Sequence, residues 1–214
     1  MNIPQSEINR LQPTVRNEFL RWDDYMYSHI RFNMPDSEIH AAAHCERVLL
    51  YALILGDDIL GDDSIGFEIL AHAAIFHDSC RQDEYLDTGH SARAAVYYEQ
   101  FCRVNRGISF HPESVYLMRY HDLDDALGKE AIRNHFGSEA DRVLNLYAIF
   151  KDADALDRWR LGNRGLDPKY LRTAKAKTMT GYSHRIVKET MSTELIDKIE
   201  KAVNDLINLA DSEL

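Results

Sequence analysis

Apolar positions recur along this chain with the three-to-four-residue spacing of helices, and strand-like alternation persists nowhere for long. Residues 14–33 carry Phe19, Trp22, Tyr25 and Tyr27 in an amphipathic pattern that predicts a helix whose aromatic stripe packs as core. Ser37 offers an N-cap for a second helix running to about Leu55, with Gly56 expected to stop it. The loop GDDILGDDSIG leads to FEILAHAAIFHD, so continuously apolar that it reads as a buried helix. The turn RQDEYLDTG separates it from a fourth helix, HSARAAVYYEQFCRV, and PESVYLMRYHD supplies a fifth. Another helix is expected over about 138–159, and the tail from Pro168 to Leu209 reads as two more. Pro13, Pro35, Pro112 and Pro168 fall at expected helix boundaries. The expected class is all-α.

With 214 residues the chain is long enough for a substantial core, and the expected organisation is one domain over 1–214. Its 25 basic and 35 acidic side chains leave a formal charge of −10, which argues against binding duplex nucleic acid. A small anionic substrate remains compatible, because a bound cation can reverse the local field. Cys45, Cys80 and Cys102 are odd in number and without CxxC spacing, so neither a disulfide framework nor a zinc knuckle is indicated. The sequence MNIPQSEINR has no apolar signal core and no run approaches a membrane span, so the expected setting is the reduced cytoplasm, with no membrane partner. The acidic stretch from Asp57 to Asp63 lacks the alternating ligands and terminal Glu of an EF-hand and reads as a solvated turn.

Polar groups that interrupt apolar helices carry the chemistry. In HCERV, His44, Arg47 and Val48 share one helix face. His77 and Asp78 close the most apolar helix, where two polar side chains need partners; a metal ion is one good partner. Neighbouring positions diverge by about 100° on a helix, so the pair can converge on an ion only if the helix end faces the site closely. KDADALDR puts Asp152 and Asp154 in a further apolar segment.

A His followed by Arg-Val, an apolar helix ending in His-Asp and a lone Asp in a later helix is the order found in the HD superfamily of metal-dependent phosphohydrolases, which this chain resembles over about residues 38–160. The runs HDSCR, HSARAA and DADALDR are similar to those of small bacterial HD hydrolases. The resemblance implies an HD-domain helical bundle, with its core over about 36–160, extra N-terminal helices and a C-terminal helical extension over about 166–212. It implies His44, His77, Asp78 and Asp152 as ligands of a primary metal. Asp78 would bridge to a second ion held by His90 and His121, as in members with two metals. One or two divalent transition ions (Fe, Mn, Co, Ni or Zn, in preference to Mg) suit imidazole and carboxylate donors. Such an ion makes hydroxide available near neutral pH for attack on a phosphate ester or anhydride. The implied substrate is a small phosphorylated metabolite or nucleotide, with Arg81 orienting phosphate through its guanidinium fork. Asp78, His121 and Asp122 are the candidates for proton relay. Arg47, Arg158 and Lys169 are further candidates for phosphate contact, and LDPKYLR could also bring Arg172 towards the cleft.

Other readings stand beside these. Six-ligand relatives with two irons include oxygenases, and a non-catalytic metal- or nucleotide-binding module is a further alternative. The Gly-Tyr-Pro motif of the signalling-dinucleotide branch is missing, since Gly181-Tyr182 is followed by Ser183. His40 reads as a contact behind the ligands or to substrate, and His72 as a core or surface residue. Asp154 and Asp157 read as ion-pair partners, with Asp157-Arg158 able to order the site. His29, His111, His135 and His184 have no supporting context. Oligomeric state is left open.

Overall fold

The computed structural model describes residues 1–61 and 63–212, and these form helices and connecting turns with no strand among them. A short helix α1 (Gln5–Ile8) precedes α2 (Pro13–His29), α3 (Ala42–Leu60) and α4 (Ser64–Phe76). Then follow α5 (His90–Val104), α6 (Pro112–Arg119), α7 (Asp125–Phe136) and α8 (Ala140–Leu156). The C-terminal part adds α9 (Ala174–Thr178), α10 (Thr180–Thr190) and α11 (Thr193–Ser212), with a 3-10 turn at Asp157–Leu161 joining α8 to it. The helical class therefore stands as expected, whereas the tail holds three helices instead of two.

The centre of the molecule is the antiparallel pair α3 and α4. From Gly66 to Phe76 every residue of α4 but Glu68 is buried, which is what its nearly unbroken apolar sequence requires. Helices α2, α6 and α8 pack around the pair, bringing Phe19, Trp22, Met26, Leu117, Leu146 and Phe150 into the same core. Glu46 of α3 is buried too, and its carboxylate accepts from the Asn2 and Ile3 backbone amides and the Tyr27 hydroxyl, pinning the N-terminal segment to the bundle.

Two helix boundaries differ from expectation for identifiable reasons. The Ser37 hydroxyl accepts from the His40 amide at 2.9 Å, but this closes an isolated turn, and α3 begins only at Ala42. Gly56 does not stop α3. It lies inside the helix against α4, where an added Cβ would meet Leu70 at 3.2 Å and Phe67 at 3.4 Å, so glycine serves close packing here. The helix ends at Gly61, whose φ of +58° is the left-handed conformation that favours glycine. Asp57 to Leu60 are accordingly helical, and Asp63 caps α4 by accepting from the Gly66 amide at 2.9 Å; Asp62 lies outside the described residues. Helix α7 adds an element to those expected from the sequence, and Gly128 lies within it. The Tyr147 hydroxyl of α8 occupies the space that a Cβ on Gly128 would need.

Candidate metal centre

Helix ends deliver the polar groups. His44 stands in the first turn of α3, His77 and Asp78 directly follow α4, His90 opens α5, His121 follows α6, and Asp154 projects from the last turn of α8. The five imidazole and carboxylate groups expected on four of these segments thus converge, joined by Asp154.

Hydrogen-bond accounting fixes what they present. His44 Nδ1 donates to the Asp157 carboxylate at 2.7 Å. His77, His90 and His121 each donate through Nδ1 to the carbonyl three residues earlier: Ala74 at 2.8 Å, Asp87 at 2.7 Å and Met118 at 2.7 Å. A carbonyl can only accept, so in the neutral rings the proton sits on Nδ1 and the lone pair on Nε2 points into the site. These lone pairs face one another, with His44 Nε2 3.0 Å from His77 Nε2 and His90 Nε2 3.2 Å from His121 Nε2.

Two carboxylates complete the cluster. Asp154 Oδ1 lies 3.4 Å from His44 Nε2 and 4.0 Å from His77 Nε2. Asp78 reaches both halves: Oδ2 is 3.6 Å from His44 Nε2, while Oδ1 is 3.3 Å from His90 Nε2 and 3.6 Å from His121 Nε2. That Oδ1 atom is buried without a hydrogen-bond partner. Inward lone pairs and an orphaned carboxylate oxygen demand a cation among them, either protons or a metal ion. The cluster can hold a metal: the ligand atoms of His44, His77 and Asp154 lie within 4.8 Å of one another, as do those of His77, Asp78 and His121.

The electrostatics agree. Burial raises the Asp78 carboxyl, but the surrounding imidazoles, His77 foremost, outweigh it and hold Asp78 well below the usual carboxylate range. Asp154 is held low in the same way, chiefly by His44 against the effect of burial. Burial pushes His77 down to about 3, leaving the neutral ring that a metal requires. His121 moves the other way, because the neighbouring Asp78 carboxylate and the charge of Asp154 overcome burial.

Asp152 is not part of this cluster. Its wholly buried carboxylate accepts from the backbone amides of Arg172 at 2.9 Å and Thr173 at 2.7 Å, and from the Arg172 guanidinium at 3.2 Å. Positions two apart on a helix point about 200° apart, so only one of Asp152 and Asp154 can face the histidines. It is Asp154 that does, while Asp152 anchors the chain entering α9. Arg47 also departs from its expected use: it is fully buried and donates to both Asp157 oxygens, at 2.7 and 3.1 Å, which orients the carboxylate that in turn holds His44. Asp157 therefore orders the site as the sequence suggested, although through Arg47 instead of Arg158. Lys169 pairs with Asp167, and Arg172 with Asp125 and Asp152, away from the cluster.

A cavity of about 620 Å³ opens above the cluster and is lined by Asp78, His90, His121 and Asp154 together with four cationic side chains, Arg81, Lys151, Arg158 and Arg160. Arg81 donates to the Tyr85 carbonyl at 2.8 Å and lies 3.4 Å from His90 Nε2. Arg160 donates to the Ile39 carbonyl through Nε, and its buried Nη1, 3.7 Å from the Asp157 carboxylate, makes no hydrogen bond among the described residues. His40, 3.4 Å from Asp78 Oδ2, and Asp122, 3.5 Å from His90 Nδ1, also face the cavity. Lys151 and Arg160 were not singled out from sequence; their only signal is proximity in the chain to Asp152 and Asp157. No helix among the described residues is long and apolar enough to cross a membrane. Comparison of the chain with protein-family models, with curated proteins and with solved structures finds no match in any of the three.

Proposed function

We propose that this chain is a metal-dependent phosphohydrolase of the HD type, acting on a small phosphorylated metabolite or nucleotide. The single observation that carries this reading is the set of four inward Nε2 lone pairs arranged around Asp78 and Asp154, beneath a cavity with cationic walls. Imidazole with carboxylate suits Mn, Fe, Co, Ni or Zn better than Mg. A divalent ion held there supplies a water of lowered pKa and offsets charge on phosphoryl oxygens.

The chain's own residues have separable tasks in this reading. His44, His77 and Asp154 hold one ion, His90 and His121 a second, and Asp78 has an oxygen for each side. Asp157, clamped by Arg47, keeps the His44 ring in its ligating orientation. Arg81 and Arg160 offer guanidinium donors to the phosphate. Asp122 is a carboxylate at the cavity wall, placed to hold or pass a proton near His90. At the mouth, Tyr85 and Leu86 are 88 % and 89 % exposed, and offer apolar cover for the organic part of a substrate. The cavity volume falls within the usual range for small-molecule sites, roughly 300–1,000 Å³.

The test is phosphate release from a panel of phosphomonoesters and nucleotides, with Mn, Fe, Co, Ni, Zn and Mg supplied in turn. Turnover with a transition ion, abolished in Asp78→Ala, supports the reading. The same six-group cluster also suits a di-iron oxygenase. Oxygen consumption and a mixed-valent di-iron signal, with no phosphate released from any substrate, would favour that chemistry instead.

A further inference from the structure

A separate group of metal-type donors lies on the other side of α4. Glu68 and His72 are four residues apart and share a face of that helix, and His111, the residue preceding α6, closes on them. We propose that Glu68, His72 and His111 form an independent site for a zinc-type divalent ion, which clasps the start of α6 to α4.

The hydrogen bonds around His72 leave no other partner for its inner nitrogen. His72 is fully buried, and its Nδ1 lies 2.9 Å from the Tyr98 hydroxyl. Tyr98 also accepts from the His111 amide at 3.0 Å and donates to the Ser109 carbonyl at 3.3 Å. A hydroxyl has one proton, so with that proton on Ser109 the His72 proton must sit on Nδ1, and Nε2 is a lone pair. Nε2 is buried and unpartnered, as is Nε2 of His111. Were the His72 proton on Nε2 instead, Glu68 Oε1 would stand 3.8 Å off, beyond hydrogen-bond reach, and a buried N–H would be left without an acceptor. An ordinary ion pair between His111 and Glu68 would still leave His72 Nε2 stranded.

A single ion answers all three. Ligands of a tetrahedral zinc with bonds of about 2.0–2.1 Å stand about 3.4 Å from one another. Glu68 Oε1 is 3.4 Å from His111 Nε2 and 3.8 Å from His72 Nε2, and the three donor atoms lie within 4.8 Å of one another. Small side-chain rotations bring them to that spacing. Glu68 and His111 are 24 % and 16 % exposed, enough to admit the ion and a water as fourth ligand. The tie has a structural consequence. Helix α4 leads into His77 and Asp78, and α6 leads into His121, so a clasp between these helices fixes two of the segments that build the central cluster.

The experiment counts ions. The full-length protein is stripped with a chelator and dialysed to equilibrium against micromolar Zn²⁺, then analysed for zinc per chain. Glu68→Gln keeps the size of a partly exposed side chain and so leaves the packing intact, and His111→Ala removes the second ligand; the Gln variant keeps the test readable if the Ala variant loosens the fold. Each variant is expected to hold one zinc fewer than the wild type, and to show a smaller rise in Tm on addition of Zn²⁺. The difference between variant and wild type does not depend on how many ions the central cluster takes, so failure of the central assignment would leave this result readable. Wild-type zinc content and an undiminished Tm response in both variants would overturn the proposal.

Discussion

At the residue scale, the discriminating pair is Asp152 and Asp154. Both are acidic, both lie on α8, and they have opposite tasks. Asp154→Asn is expected to weaken metal binding and abolish metal-dependent turnover while leaving the fold intact, because the side chain faces the cavity. Asp152→Asn is expected to keep the metal but lose about 1–3 kcal/mol of stability, since a carboxylate serving two amides and a guanidinium is replaced by a weaker acceptor. Metal analysis beside urea unfolding separates the two; loss of metal in the Asp152 variant alone would reverse the assignment. Behind His44, Asp157→Asn leaves Arg47 buried without its counter-charge. The expected cost is about 3–5 kcal/mol of stability, with a 10- to 100-fold loss of metal affinity. In the cavity wall, Arg81→Ala and Arg160→Ala should each raise KM for a phosphorylated substrate without changing metal content, which steady-state kinetics and metal counting check together.

At the element scale, histidines that follow or open helices do the positioning. A helix leaves its last carbonyls without intrahelical donors, and His77 and His121 use those at Ala74 and Met118 to hold Nδ1–H. This anchoring turns Nε2 away from the helix and towards the neighbouring elements. Helices α7 and α8 show the complementary device, in which a missing side chain sets the approach. Gly128→Ala would force its methyl group against the Tyr147 hydroxyl, which donates at 2.8 Å to the Tyr120 carbonyl beside His121. The expected outcome is a loss of about 1–3 kcal/mol in urea unfolding, accompanied by weaker metal binding. An unchanged midpoint would mean that α7 can move aside at no cost.

At the scale of the whole molecule, buried neutral histidines make stability depend on acid. Burial pushes both His72 and His77 from the usual 6.5 to about 3. A depressed folded-state pKa means that the unfolded chain binds more protons below pH 6.5, so this stability is present above that value and drains away as pH falls towards 3. His121, shifted up, opposes part of the loss: its contribution is present below 6.5 and lost as pH rises through its folded value. Asp78, Asp154 and Asp157, all held low, add a further loss only below about pH 4. For the metal-free protein, a drop of roughly 5–10 °C in Tm is expected between pH 7 and pH 4, corresponding to a few kcal/mol for a chain of this size. A Tm that is flat over this range would show that these rings are protonated in the folded state. Added transition metal should raise Tm near neutral pH and lose that effect in acid, because ligation requires deprotonated imidazole.

The periodicity of apolar residues by itself determined the helical class, the burial of α4 and the polar groups worth watching, because helix formation and burial are local or one-dimensional properties of a chain. It also placed His77, Asp78, His90 and His121 at helix ends, where side chains can turn inward, whereas His44, expected inside a helix opened by Ser37, comes to a first turn only because α3 begins at Ala42. Gly56 misled it, because a glycine that permits close packing looks the same in sequence as one that ends a helix. The choice between Asp152 and Asp154 belonged to the tertiary structure. Neighbouring acids on one helix differ only in the direction they face, and that direction is set when α8 packs between the histidines and the chain entering α9. The grouping of Glu68 and His72 with His111 was decided there as well, since their partner lies some forty residues away and meets them only when α6 docks on α4.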